Sequence, residues 1–244
     1  MLSFVYGGYT FLVCCNSVLP SCRDNNSPYE TTTSALRPLR QSSSFGSIFA
    51  GTHDLFELIP QVQSLYLWRL AQESMGWRNP SPEFQVAYDN LNSVIESWGT
   101  GPTASDDGLR VLHSSQWCMA AEVIRNGLRI YLSTSLYGSA APPFEAQQCI
   151  EWRAKNVVDA TMLLEASPYA SLTVWALVMA GSCLIDDQYR RRLAEFLAQS
   201  RYKMRHLSAV CKVLELLWAD DTKAFGPYGL QLVLEKQGTS LSIM

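Results

Sequence analysis

The sequence predicts an all-α fold, an irregular bundle of seven or eight helices, on three observations. Apolar residues recur at steps of three and four in one segment after another between residues 55 and 218. No stretch alternates with a period of two, as a half-buried strand would. The periodic segments are separated by breaks rich in Pro, Gly and Ser, namely NPSPEF, GTGPTASDDG and GSAAPPFEAQ.

The first helix follows Thr52-His53-Asp54, with Leu55, Leu58, Ile59, Val62, Leu65 and Leu70 in helical spacing. Pro60 either kinks it or opens a second segment. A second helix runs from about Glu83 to Trp98, with Phe84, Ala87, Leu91, Val94, Ile95 and Trp98 on one face. A long helix follows from about Leu109 to Leu136; its stripe Trp117, Ala121, Ile124, Leu128 and Tyr131 marks a core face, while Arg110, Glu122, Arg125 and Arg129 fall largely outside it. The next spans about Ala146 to Glu165, with Ile150, Val157, Val158, Met162 and Leu163 apolar. Ser167-Pro168 starts the helix of WALVMAGSCLIDDQYRRRL, an apolar run that breaks at two aspartates. Tyr189, Leu193, Phe196 and Leu197 give one further stripe, and Leu207, Val210, Cys211, Leu214, Leu217 and Trp218 another. Trp175 and Trp218 are the expected large core residues. Gly226 and Gly229 precede a last helix.

The chain has 244 residues, 48% of them hydrophobic, enough to bury a sizeable core. Its formal charge of −3, drawn from 17% charged residues, creates no field that would draw these residues onto DNA or an anionic membrane. Residues 1–47 read as a poorly ordered N-terminal segment and linker, and 48–244 as the helical domain. Between Ser21 and Ser47 the composition is Ser, Thr, Asn, Pro and Arg, too polar to offset its ordering entropy. The apolar start MLSFVYGGYTFLVCC has no Lys or Arg before Arg23 and is broken by Gly7-Gly8, unlike a secretory leader. No window reaches the length of apolar chain that a membrane span needs.

Seven cysteines are present. Cys118, Cys149, Cys183 and Cys211 fall singly in apolar helical stretches and read as buried thiols. Cys14, Cys15 and Cys22 lack the paired CxxC spacing of a zinc site. The histidines His53, His113 and His206 are far apart, without HxxxH or HExxH spacing. Three Asp-Asp pairs invite a magnesium–diphosphate reading, but none has a further acid one turn on. Asp106-Asp107 lies in a loop, and Asp220-Asp221 at a helix end, where it caps the next segment. Asp186-Asp187 reads as a helix start paired four residues on with Arg190 and Arg191, the arginine run being a solvated face. The expectation is no catalytic, cofactor or metal residue, and no cofactor.

Four segments carry a family resemblance: NGLRIYLSTSLYG (126–138), WALVMAGSCLIDDQYRRRL (175–193), HLSAVCKVLELLW (206–218) and FGPYGLQLVLEKQG (225–238), with LFELIPQVQSLYLWRLA (55–71) a weaker fifth. In this order they resemble the fungal-specific transcription factor domain, the regulatory domain of fungal zinc-binuclear-cluster transcription factors. The resemblance covers roughly residues 50–244. Trp175 is followed by Ala176 where many members carry Pro, and no six-cysteine DNA-binding cluster is recognisable.

What the resemblance implies is a nuclear, noncatalytic, all-α regulatory domain. It would regulate transcription by RNA polymerase II through other proteins of the transcription machinery, a homodimer partner or a small-molecule effector, with no direct specific DNA binding by this chain and no membrane. The rival readings are a helical enzyme acting on an apolar substrate and an oligomerisation module.

Overall fold

The computed structural model describes residues 52–99, 115–199, 205–220 and 225–238. Among them there is no strand, and the regular structure is helical. A one-turn helix α1 (His53–Phe56) leads into α2 (Ile59–Ser74), α3 (Pro82–Ser97), α4 (Ser115–Ser135) and α5 (Phe144–Leu163). A 3-10 turn, Ala170–Thr173, then feeds α6 (Val174–Ser182), followed by α7 (Asp187–Gln199), α8 (Arg205–Trp218) and α9 (Gly226–Gln237). The expected bundle of seven or eight helices is therefore the architecture, with α1 as an extra single turn.

Pro60 opens α2 and does not kink it: it occupies the first turn, where its missing N–H has no intrahelical partner to lose. The helix of the apolar run starts later than Ser167-Pro168. Ser167 Oγ accepts the Tyr169 N–H at 3.2 Å, and the chain makes the 3-10 turn before α6 begins. Gly226 and Gly229 lie inside α9, with Pro227 in its first turn, where they were expected to precede it. Residues 109–114 of the expected long helix, and the N-terminal segment to residue 51, lie outside the described residues.

α4 is the hub, packed against α1, α2, α3, α5, α6 and α9. Every residue of α6 is buried, which is why its sequence is almost uninterruptedly apolar and lacks a polar stripe. α6 reaches this depth because Gly127 of α4 has no side chain: a Cβ there would lie 2.6 Å from Ala176 Cβ and 2.9 Å from Ala176 Cα. Around this crossing, the Tyr131 ring lies 6.3 Å from that of Trp175 in an edge arrangement and 6.2 Å from that of Tyr66.

α2 and α3 form a hairpin on the outside of α4. Gly76, at φ +87°, closes α2, and the Trp77 N–H returns to the Gln72 carbonyl at 3.0 Å. Ser81 caps α3 by accepting the Phe84 N–H at 3.2 Å, with Pro82 and the acidic Glu83 in the first turn. The buried Arg69 locks the turn. Its Nε donates to the Leu136 carbonyl at 3.3 Å, Nη1 to the Trp77 carbonyl at 3.3 Å and Nη2 to the Arg78 carbonyl at 2.8 Å, with Glu73 at 3.3 Å balancing its charge. α3 itself buries only Phe84 and Ile95. Polar bonds add to its hold on α4: Arg125 donates to the carbonyl of Trp98, just past the end of α3, at 3.1 Å, and Arg129 pairs with Glu96.

Candidate interaction surface

The Asp186-Asp187 stretch is a helix junction. Asp186 Oδ1 accepts the Gln188 N–H at 2.8 Å and the Tyr189 N–H at 3.4 Å, so it caps α7. Its other oxygen accepts a hydrogen bond from Lys155 of α5 at 2.8 Å. That bond, then the one from Gln188, holds the Asp186 carboxyl below the usual range, and the same contact holds the Lys155 ammonium above its own. The pairing differs from the expected four-residue spacing: Asp187 meets Arg190 at 3.3 Å across three residues, and Asp186 is taken by Lys155.

The arginine run is only partly a solvated face. Arg190 is half-buried, donates to the Leu184 carbonyl at 2.9 Å and lies 6.0 Å from the Trp218 ring, while Arg192 pairs with Asp159 of α5 at 2.7 Å. Each carboxylate that might have held a cation here is engaged by a base of the chain. Among the described residues, no three His, Cys, Asp or Glu side chains converge as a cation site requires. Asp220 pairs with Lys236 in the last turn of α9, and Asp221 lies outside the described residues.

The thiols also depart from expectation. Cys183 is buried, and burial pushes its thiol up to about 12. Cys118 and Cys149 are exposed, because each lies outside the inward stripe of its helix. Cys211 is half-buried beside Glu215, its thiol raised first by burial and then by that carboxylate. Trp218 is likewise half-buried and donates its indole N–H to the Gly181 carbonyl at 3.0 Å, whereas Trp175 is fully buried. Leu163, one of the apolar residues of α5, is 73% exposed.

Among the described residues, an accessible concavity lies between α2 and α3. Gln61, Ser64, Leu65 and Trp68 line it on α2, and Ala87, Asn90, Leu91 and Val94 on α3, enclosing about 440 Å³. On each helix these residues fall at i, i+3, i+4 and i+7, the spacing of a single helical face. The two helices run antiparallel, since Trp68 meets Phe84 with ring centres 5.7 Å apart and Gln72 donates to Ser81 Oγ at 3.0 Å. The result is a trough with apolar walls and no ionisable lining group. It is open to water: Trp68 is 40% and Val94 49% exposed, with Leu67 and Val86 exposed beside it. Ala87, Leu91 and Val94 were read as part of one core face with Phe84 and Ile95; the latter two are fully buried, Ala87 and Leu91 pack against the core while partly exposed, and Val94 is left largely in water. The signal for the groove was present in that over-wide stripe, wider than one neighbouring helix can cover.

The described residues thus form an all-helical body with an uncharged, water-exposed groove on its α2–α3 side. The chain matches the family described as fungal specific transcription factor domain over residues 21–226, most of its length, and it belongs to that family. It is a domain of a regulator of transcription. No curated protein and no solved structure matches the chain. No described helix is long and apolar enough to cross a membrane.

Proposed function

We propose that this chain is a noncatalytic regulatory domain acting in the nucleus on transcription by RNA polymerase II, and that it works by binding a protein in the α2–α3 groove. One observation carries the reading. The groove presents Trp68 and Val94 to water, with Ala87 and Leu91 partly exposed beside the buried Leu65, and its lining contains no ionisable group. Such a surface stores free energy that a partner releases by covering it. The family supports the transcriptional role.

A small effector is the second reading, favoured by a volume within the usual range for ligand sites of roughly 300–1,000 Å³. Its weakness is the openness of the trough, since ligand sites typically bury about 70–90% of a small molecule's surface.

The test fuses the chain to an unrelated DNA-binding module and measures a reporter gene in a fungal host. Val94→Glu places charge in the groove at an exposed position and Leu91→Glu at one partly buried against the core, so a thermal melt checks the fold of each, and each is expected to abolish the chain's effect on the reporter at unchanged protein level. Unaltered regulation by both variants would refute the groove as the working surface.

A further inference from the structure

We propose that the seam between α5 and the first half of α7 is a salt-sensitive latch: α7 releases from α5 and unravels while α4 and α6 stay folded. On α5 the seam is a ladder of charge, Glu151, Lys155 and Asp159, spaced i, i+4 and i+8 along one face. Facing it are Asp186, Tyr189 and Arg192. Glu151 Oε1 accepts the N–H of Ile185 at 3.0 Å and that of Asp186 at 2.7 Å. Lys155 donates to Asp186 at 2.8 Å, and Asp159 accepts the Tyr189 hydroxyl at 3.0 Å and Arg192 at 2.7 Å. The Lys155 ammonium and the Arg192 guanidinium lie 5.0 Å and 5.6 Å from the centre of the Tyr189 ring. The neighbouring charges Asp187, Arg190 and Arg191 bond within residues 184–191.

The seam matters because the apolar grip of α7 is small. Its fully buried side chains are Leu193 and Leu197, in a helix of 13 residues. Leu193 reaches between α6 and α8: a Cβ at Gly181 would lie 3.0 Å from Leu193 Cδ2 and 2.8 Å from Leu214 Cδ1. Two leucines have to offset the ordering entropy of the whole helix, and the polar seam supplies part of the difference. A helix this short does not persist unsupported in water, so release from α5 and loss of the helix go together. The bonds of the seam are also of a kind that water and salt compete for, the Asp159 and Arg192 side chains being 41% and 49% exposed. Every residue of α6, by contrast, is buried, and its packing contains no ion pair to screen. Release of α7 uncovers α8 around Cys211, whose sulfur lies 3.9 Å from the Ala194 carbonyl.

The test is hydrogen–deuterium exchange of the full chain, read by mass spectrometry at about 0.05 M and about 1 M sodium chloride, where the screening lengths differ several-fold. Amides of α7 are expected to exchange faster than those of α4 and α6 at both concentrations, and the high salt should speed α7 by about fivefold relative to α4. At low salt, Lys155→Ala and Asp159→Ala should each speed α7 by about two- to fivefold and reduce its response to salt. Asn156→Ala, exposed on α5 and outside the ladder, should do neither.

Exchange of α7 in step with α4 at both salt concentrations overturns the proposal, since α7 then opens only when the whole domain does. Faster exchange of α7 that ignores both salt and the two ladder variants also overturns it, because the opening would not run through the seam. Circular dichroism checks the fold of each variant; if either is unfolded, the salt series on the unsubstituted chain decides alone.

Discussion

Replacing Gly127 with alanine adds one methyl group where α4 and α6 touch. The new Cβ would lie 2.6 Å from Ala176 Cβ, 2.9 Å from Ala176 Cα and 3.1 Å from Trp175 Cζ3. Carbon atoms prefer separations of about 3.5–4.0 Å, so the two helices must part by about 1 Å. The Ala176 atoms cannot rotate away, which puts the overpacking cost near the upper end of the usual range, about 3 kcal/mol. Alanine returns about 1 kcal/mol over glycine in a helix interior. The net expectation is a loss of about 2 kcal/mol, or a melting point lower by about 4–8 °C for a chain of this size. Urea denaturation followed by circular dichroism reads it, with the slope unchanged. Ala176→Gly in the Gly127→Ala background should restore part of the loss, whereas alone it should only destabilise. If Gly127→Ala is neutral or stabilising, α4 and α6 do not approach at this point and the central crossing described above is wrong.

The remaining expectations use the same melts and simple chemistry. Trp175→Ala, at a fully buried ring, should cost about 3–5 kcal/mol, and Trp218→Ala distinctly less because that ring is half-exposed; equal losses would contradict the difference in burial. Arg69→Lys should destabilise by about 1–3 kcal/mol, since an ammonium cannot reach three carbonyls in fixed fork geometry; a silent substitution would remove the clamp from the account of the hairpin. A thiol reagent at neutral pH should modify Cys118 and Cys149 in the native chain and leave Cys183 untouched until unfolding, as peptide mapping would show. Asp186 is held below its ordinary carboxyl value, so its stabilising contribution is complete above about pH 3.9 and is lost as pH falls through the lower folded value. Asp186→Asn should flatten the acid limb of the stability curve, and high salt should mimic it in part.

What was legible in the sequence is what one helix can report about itself. The stripe Ala121, Ile124, Leu128 and Tyr131 on α4 faces the core, and the apolar run of α6 is buried on all sides. The contacts that depend on a second element were not legible. Asp186 chose Lys155, 31 residues away in sequence, over the arginine four residues on; Arg69 holds a carbonyl 67 residues away. Cys118 and Cys149 looked buried because their neighbours in sequence are apolar, yet a turn of 100° per residue carries each off the inward stripe.

The groove shows where periodicity stops being informative. Ala87, Leu91 and Val94 have the spacing of core residues, and nothing in α3 records whether a partner covers that face. Phe84 and Ile95 are covered by the body; Val94, about 80° around the helix from Phe84 at 100° per residue, is left half in water. An apolar face that is wider than its neighbours can bury has two physical resolutions, a destabilised helix or an additional occupant. α3 avoids the first through the Ser81 cap and the Arg125 and Arg129 bonds of α4, which hold it without the missing burial. The same bonds keep the trough formed while it is empty, so a guest need not order the walls as well as itself, and more of the burial energy is left for affinity.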